Sequence, residues 1–249
     1  SLDAHAGCPN RDGTIQYGGC TFCNADGSGS GLMQKGLSLT KQWEYWLDKF
    51  SKSDRLKNTK NFLAYMQSYS NTYGCLEKLE KMTTELASLE KCVGFSIGTR
   101  PDCIDEEKLR LLASLPFQTK WIEFGIQSMH DETLKRIRRG HSVQCSVDAI
   151  TRSRKYNLNV CVHLMAGIPG ETKENFLDTV REVCKLPVQG IKLRGLYVCK
   201  NTQLAKDYRA NAYTPMEQED YIRLICDALC IIPSNIAIHR LTADCHDEE

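Results

Sequence analysis

The sequence predicts an α/β fold in which parallel strands are wrapped by helices, as an open sheet or a barrel. Three observations point there. Short apolar runs recur at 62–67, 92–97, 121–126, 160–166, 190–198 and 236–239. Apolar residues at helical spacing stand between them. Polar or glycine-containing segments follow five of the runs, at 67–71, 98–102, 127–128, 167–171 and 239–240. In a parallel barrel that rim builds the active site; read one at a time, the same segments are turns and helix caps.

In order, the run at 62–67 leads to Leu76, Leu79, Met82, Leu86 and Leu89, one apolar stripe of a helix. The run at 92–97 is followed by Asp105, placed to cap a helix, and the run at 121–126 by Asp131 in the same position. After 160–166, Thr172 caps a helix carrying Phe176, Val180 and Val183. After 190–198, Tyr221, Leu224, Ile225 and Ala228 mark another helix before the last run. Such alternation makes consecutive strands parallel through right-handed crossovers, covered on both faces. With no linker or internal repeat, the reading is one domain.

Composition agrees. Of 249 residues, 41% are hydrophobic and 25% charged, ordinary values for a folded chain that argue against disorder. The net charge of +1 rules out a global polycation, so any basic site is a local patch. No apolar run approaches the roughly 18 residues of a membrane span, and the first residues are not those of a signal peptide. A cytoplasmic protein is expected.

Thirteen cysteines are unusual. Ten are scattered, mostly among apolar neighbours, where a reduced cysteine behaves as a small hydrophobe. Cys8, Cys20 and Cys23 instead share a segment carrying Gly7, Gly13, Gly18, Gly19, Gly27, Gly29 and Gly31. Three thiolates on a short, pliable loop suit a four-iron cluster with one iron left open for an exogenous ligand. The same three with His5 suit a structural zinc site, although zinc ribbons usually pair two close doublets. A redox Cys-x-x-Cys leaves the third cysteine unexplained.

The ordered motifs then carry a resemblance. Gly7-Cys8-Pro-Asn-Arg-Asp-Gly13 and Gly18-Gly-Cys-Thr-Phe-Cys23 resemble the cluster loop of radical S-adenosylmethionine (SAM) enzymes, specifically the YhcC/YtqA-like family, which is similar to the radical domain of the Elongator catalytic subunit. The likeness continues through Gln67-Ser-Tyr-Ser-Asn-Thr-Tyr73, Gly98-Thr-Arg-Pro-Asp-Cys103, Glu123-Phe-Gly-Ile-Gln-Ser128, Thr133-Leu-Lys-Arg-Ile-Arg-Arg-Gly-His141, Gly167-Ile-Pro-Gly-Glu171 and Ile238-His-Arg-Leu241. It implies a partial, open TIM-type (β/α)6 barrel over residues 1–249, a single radical SAM domain. Only about three residues precede the loop, fewer than a strand of five or six needs, so the domain is expected to be clipped at its N-terminus and also at its C-terminus. Arg138-Arg139-Gly140-His141 and Lys200-Asn201-Thr202 stand where the family usually has Asn-Arg-Gly-His and Lys-Gly-Thr.

The resemblance implies that Cys8, Cys20 and Cys23 hold a [4Fe-4S] cluster whose open iron binds SAM, giving a 5'-deoxyadenosyl radical on reduction. Phe22 then packs near the adenine, or serves only as aromatic packing. Gln67, Ser70 and Asn71 fall in the methionine-binding segment. Glu123 and Gln127 share a strand face and reach the ribose hydroxyls; the other reading of Glu123 is a buried ion pair with Arg100. Arg139 meets the SAM carboxylate or lies on a solvated surface. Gly167 and Ile168 approach the adenine or form a plain turn. His163, Lys192, Arg194, His239 and Arg240 make a cationic set suited to an anionic substrate. Joined by Lys135 to His141 and by Arg152, Arg154 and Lys155, it suits tRNA, by analogy with the Elongator subunit and its wobble uridine. The implied electron donor is a flavodoxin or ferredoxin. The competing class is a nucleic-acid-binding module, stabilised by zinc or by a cluster, without radical chemistry.

Overall fold

The computed structural model describes residues 1–4, 6–24, 27, 32 and 35–242. His5, Gly29, Gly31 and Cys245 lie outside the described residues. Six strands run β1 (Phe62–Met66), β2 (Cys92–Thr99), β3 (Thr119–Gln127), β4 (Asn159–Ala166), β5 (Gly190–Gly195) and β6 (Ala237–Arg240). They pair in sequence order and every pairing is parallel. Leu2 adds a parallel bridge to Met66 at the outer edge of β1, where the resemblance expects a preceding strand.

The helices are α1 (Leu39–Ser51), α2 (Leu76–Ala87), α3 (Glu106–Ser114), α4 (Asp131–Arg136), α5 (Val143–Lys155), α6 (Lys173–Cys184), α7 (Gln203–Arg209) and α8 (Gln218–Ile231). Asp105 caps α3 by accepting from Lys108 N, and Thr172 caps α6 in a reciprocal box with Asn175. Asp131 does not cap its own helix. It is the first residue of α4, and its carboxylate accepts from Val143 N at 2.7 Å, satisfying an amide at the start of α5 instead.

The strands alternate between two environments. Phe95, Ile97, Ile122, Phe124, Ile126, Val160, Val162, Leu164, Ile191 and Leu193 are buried in the core cluster shared with the helices. The opposite parity carries Tyr65, Ser96, Glu123, His163, Lys192 and Arg194. Neighbouring strands stand about 4.8 Å apart, so β1 and β5 would be far apart in a flat sheet. Lys192 Nζ on β5 nevertheless lies 3.1 Å from the Tyr65 hydroxyl on β1. The sheet therefore curls into a half-barrel around a polar lumen.

Two expectations are revised. The run at 190–198 stops being a strand at Gly195: Leu196 adds one ladder bond to Ala166 O, then Leu196 and Val198 turn into a rim cluster with Leu134, Ile137, Ile168, Leu204 and Tyr213. Coverage on both faces fails at β6, where Ala237, Ile238 and His239 are exposed because β6 is the sheet's edge. Among the described residues no helix is long and apolar enough to cross a membrane.

Candidate active site

The C-terminal ends of the strands and the cysteine loop enclose about 830 Å³ of empty space, open mouth included. Cys8, Cys20 and Cys23 all line it, as do Phe22, Gln67, Ser70, Glu123, Gln127, Arg139, His163 and Arg194. Eleven residues singled out from sequence therefore meet in one cavity. Asn71, Gly167, Ile168, Lys192, His239 and Arg240 are not on its wall.

The loop is built to lie close. Ser70 N donates to Gly7 O, Thr21 N to Ile137 O and Tyr69 N to Gly27 O, so backbone bonds tie the cysteine segment to the barrel rim. Gly27 has φ +55°, and a Cβ there would stand 2.5 Å from the Tyr69 ring, so only glycine lets the two segments touch.

Two of the three loop sulfurs have nitrogen donors nearby. Asn10 Nδ2 and Arg139 Nη1 each lie 3.5 Å from Cys20 Sγ, and Arg11 Nη2 lies 3.6 Å from Cys23 Sγ. Arg139 is not a solvated surface residue: it is 8% exposed, and its Nε and Nη2 donate to Gly125 O at 3.1 and 2.5 Å. Gly125 is needed for that approach, since a Cβ would come within 2.9 Å of Arg139 Nη2. Arg139 Nε also donates to His141 Nε2 at 3.1 Å; burial, reinforced by Arg139, lowers the His141 pKa to about 3, so this imidazole is neutral and accepts. Burial, with Cys20 beside it, pushes the Cys23 thiol up against the pull of Arg11.

Glu123 is not paired with Arg100. Arg100 instead forks onto Asp102, two residues along the same turn, through Nε at 2.9 Å and Nη2 at 2.8 Å. Glu123 lies one strand away and finds other partners: Ser96 Oγ donates to Oε1 at 2.6 Å, while His163 Nε2 and Lys192 Nζ reach Oε2 at 2.7 and 2.5 Å. Burial alone would raise the Glu123 pKa, but the His163 bond and the Lys192 charge hold it well below the usual carboxylate range. Burial lowers His163 to about 4 despite Glu123, so a neutral imidazole donates here. Two of the five residues read as substrate ligands, His163 and Lys192, are thus engaged by one carboxylate.

The other expected residues sit as follows. Asn71 Nδ2 donates to Gly98 O, holding the β1 and β2 rims together. Gly167 O accepts from the Tyr213 hydroxyl, and Ile168 is buried in the rim cluster against which Phe22 packs. The His239 ring lies edge-on to Trp121 at 4.5 Å, low in the barrel. Arg240 pairs in register with Lys192 on the edge strand. Arg152 and Arg154 donate to Ile104 O and Leu158 O at the end of α5 that feeds the start of β4, the barrel end away from the cavity. Lys135, Arg136 and Arg138 follow β3 on the cavity side and are exposed. Sequence reasoning passed over Asn10, Arg11 and Tyr65; the first two stand inside the quoted Cys8-Pro-Asn-Arg-Asp motif, which was the available signal.

A parallel half-barrel with a three-cysteine loop at its C-terminal rim defines a class, that of radical SAM enzymes. The Radical SAM superfamily profile matches residues 5–183, and the Radical_SAM C-terminal domain profile matches 188–249. The chain belongs to the radical SAM superfamily. It is similar to YtqA of Bacillus subtilis strain 168, 37% identical over 98% of this chain and 75% of that protein, and to YhcC of Escherichia coli K12, 36% identical over 97% and 77%. A tRNA uridine(34) acetyltransferase of Dehalococcoides mccartyi is 32% identical over 69% of this chain and 37% of its own length. The fold is that of archaeal Elp3 from Methanocaldococcus infernus, with TM-score 0.73 and 22% identity over 87% of this chain and 55% of that one. Coproporphyrinogen III oxidase from Escherichia coli shares it at TM-score 0.60, 14% identical over 85% of this chain and 48% of that one. The chain thus spans about half the length of these solved structures, three quarters of YtqA and YhcC, and just over a third of the acetyltransferase.

Proposed function

We propose that Cys8, Cys20 and Cys23 hold a [4Fe-4S] cluster, that the adjoining cavity binds SAM, and that the chain modifies tRNA at a uridine. The observation that carries the reading is the convergence of the three thiols with Gln67, Ser70, Glu123, Gln127 and Arg139 on one cavity. The donor set fits a cluster. Three soft thiols stand on one loop, with guanidinium groups close to two of the sulfurs.

The donor set also fits SAM. Arg100 Nη1 lines the cavity, buried and without a hydrogen-bond partner. Glu123 and Gln127 share the cavity wall, where a carboxylate and an amide suit ribose hydroxyls. When bound, the cluster and SAM supply one-electron reductive cleavage of the sulfonium, for which a flavodoxin or ferredoxin is the class of donor. The chain's own part is to hold that chemistry in a lumen closed on its outer side by an apolar layer, and to keep Glu123 ionised.

For the substrate, the relative named a tRNA uridine(34) acetyltransferase supports tRNA. The exposed run of Lys135, Arg136 and Arg138 lies on the cavity side and suits phosphates, while Arg194, with a buried unpartnered Nε, offers one cation inside the cavity for an anionic group. Anaerobic reconstitution tests this: roughly four irons per chain, SAM turned over to 5'-deoxyadenosine under reductant, and turnover raised by tRNA at low salt. A colourless protein with one zinc would overturn the cluster, and turnover indifferent to tRNA would overturn the substrate.

A further inference from the structure

Two guanidinium groups stand against the cysteine loop. Arg139 places Nη1 3.5 Å from Cys20 Sγ, Asn10 Nδ2 lies 3.5 Å from the same sulfur, and Arg11 Nη2 lies 3.6 Å from Cys23 Sγ. Two other carboxylates of this region are engaged elsewhere: Asp102 is forked by Arg100, and Glu123 is tied to Lys192. Arg139 cannot swing away, because Gly125 O holds its Nε and Nη2 and because it is buried. Asn10 gives both of its Nδ2 hydrogens to Arg138 O and Arg139 O at 2.9 Å, which ties the cysteine loop to the segment that carries Arg139.

We infer that Arg11 and Arg139 raise the reduction potential of a cluster held by Cys8, Cys20 and Cys23. The inference rests on the cluster reading given above. Reduction adds one electron, taken from a one-electron donor that is itself oxidised by one, and leaves the cluster and its thiolates one charge more negative. Fixed positive charges and N–H···S bonds stabilise that more negative state more than the oxidised one. The consequence is a cluster that a comparatively weak donor can reduce.

The test is EPR-monitored potentiometry of the anaerobically reconstituted full chain, with iron and sulfide per chain measured on every sample. Arg11→Gln and Arg139→Gln remove a charge and keep N–H donors; Arg11→Lys keeps the charge. Each Gln variant is expected to lower the reduced-to-oxidised ratio at a fixed poise at least tenfold, which for a one-electron couple is a 59 mV fall in midpoint. Arg11→Lys is expected to stay within that margin of wild type. Arg139 also braces Gly125, so if Arg139→Gln takes up no iron, the Arg11 pair decides. Wild type with a full cluster and Gln variants at the wild-type midpoint would overturn the inference alone. Wild type that takes up zinc and no iron would overturn it together with the cluster reading.

Discussion

Lys192→Met strands the Glu123 carboxylate. In the native chain the pair is 2.5 Å apart, with side chains 10% and 2% exposed, so neither charge is screened by water. Removing one member of such a pair costs about 3–5 kcal/mol, because the remaining charge stays desolvated. Glu123 keeps two donors, Ser96 and His163, which places the expected loss near the lower end, about 3 kcal/mol. Glu123→Gln is expected to cost a similar amount by leaving Lys192 with only the Tyr65 hydroxyl at 3.1 Å and the ring face beneath it. The double variant strands no charge, so it is expected to be more stable than the sum of the two losses by about 2 kcal/mol. The assay is urea denaturation of all four proteins, followed by tryptophan fluorescence and circular dichroism and accepted only where the two transitions coincide. Single losses below about 1 kcal/mol, or strict additivity, would refute the account of a buried, mutually dependent pair.

Two further outcomes follow from the same geometry. Cys8→Ala, Cys20→Ala and Cys23→Ala are each expected to abolish iron uptake, while Cys92→Ala and Cys230→Ala, both away from the cavity, leave it intact; undiminished iron in the loop variants would count against the ligand assignment. Because burial lowers His163 from 6.5 to about 4, the unfolded chain takes up a proton that the folded chain refuses, so this residue's contribution is intact above pH 6.5 and lost as pH falls toward 4. Wild type is expected to lose about 3 kcal/mol more than His163→Gln across that interval, and equal pH slopes in urea denaturation would refute it.

How much of this was legible in the sequence depended on how local the signal was. Each of the six apolar runs contains or overlaps an observed strand, and Asp105 and Thr172 were readable as caps because a cap acts within three residues. Helix α1 was not picked out, although Leu39, Trp43, Trp46, Leu47 and Phe50 are spaced for one face; it precedes β1 and so stands outside the strand-helix rhythm being followed. The cysteine loop was legible for the same reason as the caps, since its spacing and its glycines lie within one short segment. The end of β5 was not, because residues 196 and 198 remain as apolar as a strand while packing into a different cluster.

The partners of Glu123 show where local reading stops. Alternation along β3 correctly turns Glu123 inward, and Arg100 was the nearest arginine on the preceding rim. Arg100, however, is only two residues from Asp102, and a bidentate fork within one turn requires no tertiary arrangement at all. Glu123 was left to whatever the curled sheet brings inward, and that is set by register across four strands. Gly125 stands opposite His163, and His163 opposite Lys192, so the imidazole and the ammonium enter the lumen side by side, one step along from Glu123. The curl then carries Lys192 across to Tyr65 on β1. No residue pattern encodes that approach, since it follows from how far six parallel strands twist and close. A lysine and a histidine that look like free substrate ligands in sequence are, in the folded chain, what keeps a buried carboxylate charged beside the cavity.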